Sequence, residues 1–268
     1  MDNNTQITIR STITALVLLI LLTSCSASDT GNTKRGAVVS VPEVTGSDTA
    51  ASESYPDAFA EYEITEVKPQ ETPTYISTAA YFMPQSIEEM FAVSSTVVRG
   101  RIIRVREYRV SAKSDYGDEG DTFYKSVIYL KVIKNYSGNE LKYAEDGVIT
   151  FLYPQTSVDR IEDLEYLSEG DSVIAVLNDI KNMYRSIEEI RNITDYAVTS
   201  PGTNVYLKRD GGYTAKKLMM LAGKKEKDVY SLKSVEKVIN DNIDLLKGQT
   251  MQEFFAEKYK NENDNGNG

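Results

Sequence analysis

The side chains able to do chemistry here are carboxylates, tyrosines and arginines: histidine and tryptophan are absent and cysteine occurs once, at Cys25. Without histidine there is no Ser-His-Asp triad, no Cys-His dyad and no imidazole metal ligand. A single cysteine permits neither an intramolecular disulfide nor a structural zinc site of the Cys/His kind. Two acidic groups remain. Asp115, Asp118, Glu119 and Asp121 alternate with Gly117 and Gly120 in an oxygen-rich stretch of the kind that can hold Ca²⁺. Their spacing misses the EF-hand pattern, so a solvated hairpin loop without metal is expected. Asp159, Glu162, Asp163, Glu165, Glu169 and Asp171 could supply an acid and a base, as paired carboxylates do in glycosidases. They fall on the polar side of an amphipathic segment, where solvated charges are the simpler expectation. No catalytic residue and no cofactor is assigned.

The third constellation is basic. Val98, Gly100 and Ile102 alternate on one face of a strand, and Ile103 and Val105 continue the apolar pattern out of phase. A single β-bulge at Ile102-Ile103 reconciles the halves, because one extra residue flips the facing of all that follow. Arg99, Arg101, Arg104 and Arg106 then share the outward face. On the next strand Ile128, Leu130 and Val132 face inward, leaving Lys125, Tyr129 and Lys131 outward. In a chain of net charge −10 this stripe is a local asymmetry of the kind that steers anionic partners. Acidic side chains paired across strands would be the ordinary alternative. The 18 tyrosines could form a stacking platform, or simply be half-buried strand residues. The overall acidity argues against a nucleic-acid partner.

These residues need a sheet to hold them. Val97–Tyr108, Thr122–Asn135, Val148–Tyr153 and Ser172–Leu177 read as strands, with short strands at Tyr196–Thr199 and Val205–Lys208. Ile161, Leu164 and Leu167 recur at helical spacing, predicting a helix over Val158–Leu167. Ser86-Ile87-Glu88-Glu89 is a capping box that starts a short helix at Ile87. Val235, Val238, Ile239, Asn242, Leu245 and Leu246 form the stripe of a further helix. Thr250-Met251-Gln252-Glu253 opens a last one through Lys260, followed by a disordered tail over 261–268.

Ahead of the sheet, Arg10 and the apolar run Ile13–Leu22 make a secretory signal over residues 1–24, too short to span a bilayer. Residues 25–80 are small, polar and acidic, and are read as a flexible linker. Leu22-Thr23-Ser24-Cys25 resembles the lipobox of bacterial lipoproteins. The resemblance implies a lipid on Cys25 and anchoring at the extracytoplasmic face of the bacterial cell membrane. The stretches Ser95–Ile102, Tyr129–Gly138 and Leu167–Val173 look like those of a group of uncharacterised OB-like lipoproteins of Gram-positive bacteria. That resemblance implies a mainly β, α+β fold: an OB-like barrel of five to six strands with C-terminal helices over 81–260. The family carries no established activity. The expected function is a binding or accessory module of the envelope whose ligand is an anionic polymer. A carboxylate-dependent hydrolase acting on wall glycans, or a purely structural lipoprotein, are the alternatives.

Overall fold

The computed structural model describes residues 59–77, 82–114, 119–162, 164–184 and 187–265. Cys25, the signal segment, Tyr81, Asp163, and the loop residues Asp115 and Asp118 lie outside the described residues, as do the side chains of Glu119 and Asp121.

One eight-stranded sheet organises the protein. Its members are β1 (Phe59–Val67), β3 (Thr96–Ser114), β4 (Glu119–Asn135), β5 (Val148–Tyr153), β7 (Ser172–Asp179), β8 (Tyr196–Ala197), β9 (Val205–Arg209) and β10 (Gly212–Tyr213). Pairing runs β1-β3-β4-β5-β8-β7-β9-β10, and β3 also pairs with β7. That extra pairing closes a ring of β3, β4, β5, β8 and β7, in which only the β5–β8 pair is parallel. Val98, Ile102, Ile128, Leu130, Ile149, Phe151, Val173 and Leu177 fill its inside.

The bulge falls where the alternation demanded it. Ile102 opposes Leu130 and Arg104 opposes Tyr129, leaving Ile103 unpaired and partly exposed. The loop before β7 supports it: Ile102 donates to the Asp171 carbonyl and accepts from the Gly170 amide, both at 2.8 Å. Gly170 holds φ at +93°, a conformation that favours glycine. Two further register shifts flank it, one between Arg99 and Gly100 and one between Ser111 and Lys113, so the strand is more irregular than a single bulge.

Three expectations are corrected. The sheet begins inside the stretch read as linker: β1 pairs with β3, and β2 (Tyr75–Ser77) pairs with β6 (Asp159–Ile161). Tyr62 and Ile64 of β1 pack on the sheet between exposed Glu63 and Thr65, an alternation too short to stand out from its acidic surroundings. Val158–Leu167 is not a helix. Its Ile161 amide is taken by the Gln155 side chain and its β6 residues pair with β2, so the spacing of Ile161, Leu164 and Leu167 reflects burial of an irregular segment. The last helix continues to Asn265, into the expected tail.

Helices cover the sheet's outer faces. They are α1 (Ile87–Ala92), α2 (Ile180–Met183), α3 (Glu188–Ile193), α4 (Pro201–Asn204), α5 (Lys216–Leu221), α6 (Leu232–Asn242) and α7 (Met251–Asn265). The α1 capping residue Ser86 accepts from the Glu89 amide. At α7 the box is reciprocal, Glu253 N–H to Thr250 Oγ1 at 3.1 Å and Thr250 N–H to Glu253 Oε2 at 2.9 Å. Val235, Val238 and Ile239 of α6 are buried against Met90, Phe91 and Tyr206 in a second core.

Candidate functional site

The outer face of β3 and β4 carries the basic residues, and the structure divides them. Arg101 and Arg104 are exposed, and neither has a carboxylate partner among the described residues. The Arg104 guanidinium lies 5.2 Å from the centre of the Tyr129 ring, and that of Arg106 lies 5.7 Å from the same ring. Tyr129 is half-buried, so its ring is fixed by packing while its face meets two cations. Arg106 also reaches Glu66 of β1 at 3.6 Å, an exposed pair of little energetic weight. Lys131 stands opposite Arg101, is exposed, and donates to the backbone carbonyl of Asp146.

Two of the expected residues leave this open face. Arg99 is 3.7 Å from Glu236 of α6, and its Nε is buried without a hydrogen-bond partner. Glu236 also accepts from Lys134 at 3.0 Å and from the Tyr136 hydroxyl at 2.8 Å. Burial pulls the Glu236 carboxyl upward, but those two hydrogen bonds and the charges of Lys134 and Arg99 outweigh it and hold it below the ordinary carboxylate value. Lys125 lies beside the Phe123 ring at 5.5 Å. Burial pushes its ammonium down, with Asp159 partly opposing.

The acidic residues singled out from sequence do not converge. Asp159 accepts from the Ser77 hydroxyl at 2.8 Å, Asp171 from the Ser168 amide at 2.8 Å, and Glu165 pairs with Arg209 at 2.7 Å. Among the described residues no cluster of acidic, cysteine or histidine side chains could hold a metal. The carboxylate that sequence reasoning missed is Glu107, only 1% exposed. It accepts from the Ser157 amide at 2.7 Å, from the Ser157 hydroxyl, and from the Tyr166 hydroxyl at 2.9 Å. Burial, then the Glu107 hydrogen bond, push the Tyr166 phenol up to about 12. The signal was available: once the bulge turns Val105 inward, Glu107 two residues on must follow it.

Most strand tyrosines are not a platform. Tyr108, Tyr136 and Tyr153 are buried, and Tyr124 stacks on Tyr75 with ring centres 6.2 Å apart. No helix among the described residues is long and apolar enough to cross a membrane. No family model, no curated protein and no solved structure matches the chain.

Proposed function

We propose that this protein is a lipid-anchored, extracytoplasmic binding module of the bacterial cell envelope. Cys25 carries the lipid, and an OB-like barrel presents Arg101, Arg104, Arg106 and Tyr129 to an anionic envelope polymer. The barrel reading is supported by the ring order β3-β4-β5-β8-β7 with its one parallel pair and its bulged first strand. The observation that carries the binding reading is that Arg101 and Arg104 are exposed without carboxylate partners, in a chain of net charge −10, beside a ring held by packing. Arginine suits such a partner because its planar fork pairs bidentately with phosphate or carboxylate. The hydrolase alternative draws less support, because Glu107 spends its hydrogen bonds on Ser157 and Tyr166 and has no second carboxylate among its hydrogen-bond partners.

The test is charge reversal. In the full chain, Arg101→Glu with Arg104→Glu should abolish salt-sensitive binding to isolated anionic envelope polymers while leaving the melting temperature nearly unchanged. Retained binding by a folded double variant would remove the face from consideration.

A further inference from the structure

The basic surface continues across the strands, away from the β3 stripe. Arg101 faces Lys131 on β4 and Ser172 on β7. Val173 faces Leu207, so the antiparallel register sets Lys208 of β9 beside Ser172. Lys131, Arg101, Ser172 and Lys208 thus form one transverse row on the outer face. Lys131, Arg101 and Lys208 are exposed, and Lys208, like Arg101, has no carboxylate partner among the described residues. Adjacent strands lie about 4.8 Å apart, so three gaps from β4 to β9 make a track of about 14 Å. Its far end opens into a groove walled by Arg99, Ser172, Lys208, Gly211 and Ser231, with no acidic side chain among the described residues that line it. Gly211 turns the chain there with φ at +86°.

We propose that the ligand lies along this row, from Lys131 over Arg101 and Ser172 to Lys208, and ends at the mouth of the groove, whose Arg99 is already paired with Glu236. The ligand class is therefore a linear polyanion of phosphate groups, not an isolated charged headgroup. This rests on the binding reading above and extends it from where the ligand binds to what it must be. A single phosphate can engage one stretch of the row but cannot reach from Lys131 to Lys208 at its two ends. A chain of phosphates can satisfy every cation at once, and it releases the counterions of each, so its affinity falls steeply with salt. Ser172 adds a hydroxyl donor between the two unpaired cations. Phosphate is favoured over carboxylate because two of the three cations in the row are lysines, point charges that do not need a planar partner, and the one hydroxyl between Arg101 and Lys208 can donate to a tetrahedral oxygen.

The experiment compares a long-chain linear polyphosphate with pyrophosphate, using the full chain in non-ionic detergent, across a salt series. The long polymer should bind at least about tenfold more tightly per molecule and with a steeper salt dependence than pyrophosphate. Lys208→Glu should weaken the long polymer about tenfold and change pyrophosphate binding much less, with an unchanged melting curve. If Lys208→Glu has no effect on the polymer while Arg104→Glu abolishes binding, the track is wrong and the β3 face stands. If the chain binds polygalacturonate but not polyphosphate, the phosphate assignment is overturned. If it binds phosphatidylglycerol vesicles in place of either polymer, the surface is a membrane contact and the inference fails. Binding to none of these probes would remove both the track and the function proposed above.

Discussion

The Glu107 carboxylate and the Ser157 amide meet at 2.7 Å inside the protein, joining the centre of β3 to the loop before β6. The Ser157 hydroxyl and the Tyr166 hydroxyl complete the set around an almost fully buried charge. Removing the carboxylate strands three donors, of which the Ser157 amide and hydroxyl are buried and the Tyr166 hydroxyl is partly so. Glu107→Ala should cost about 2–4 kcal/mol in chemical denaturation, since hydrogen bonds to a charged group are stronger than neutral ones and orphaned donors pay their desolvation. Glu107→Gln, which keeps the shape and one acceptor, should cost less. Equal losses for the two variants would show that the carboxylate's charge and second acceptor oxygen, not the side chain's volume, carry the whole effect.

Gly100 lies on the same strand, beside the register shift between Arg99 and Gly100. A methyl group there would sit 2.7 Å from Leu130 Cγ and closer still to the Lys131 carbonyl oxygen. Backbone cannot move aside as a side chain can. Gly100→Ala should therefore destabilise the fold by about 2–3 kcal/mol, read as a lower denaturant midpoint. A neutral substitution would mean that β3 and β4 separate more easily than the register implies.

Glu236 gives the protein an acid limb of known sign. Its folded carboxyl lies below the ordinary value of 4.5, so it contributes stability that is complete above that pH and lost as pH falls through the folded value. Melting temperature measured from about pH 6 to about pH 3 should fall less steeply in Glu236→Gln than in the natural chain. The same variant also frees Arg99 and Lys134, so its binding of anionic polymer should rise. An unchanged acid slope would show that Arg99, Lys134 and Tyr136 do not act on this carboxyl.

The proposed lipid attachment would use Cys25, the one thiol in the chain. Metabolic labelling with a fatty-acid analogue should mark the natural protein and not Cys25→Ala. Label on the variant would place the lipid elsewhere and undo the anchoring proposal.

Local pattern determined a good part of this molecule. The bulge at Ile103 was readable because alternation is a property of successive residues: Ile102 and Val105 cannot both face inward without one extra residue between them. The same rule put Arg101 and Arg104 outside. Val148–Tyr153 was readable as a strand because a β-branched and aromatic run ends at Pro154, and both capping boxes were readable because their partners are three residues apart. What the tertiary structure alone decided is which of these residues meet. Arg99 and Arg101 look alike in the sequence, yet one is held by Glu236, far along the chain on α6, and the other faces open solvent. Tyr62 and Ile64 become sheet residues only because the second half of β3 offers an unpaired edge. Val158–Leu167 has helical spacing but loses its amides to Gln155 and β2. In each case the deciding partner is remote in sequence, and a charge or an amide takes its state from whatever neighbour the folded chain brings within a few ångströms.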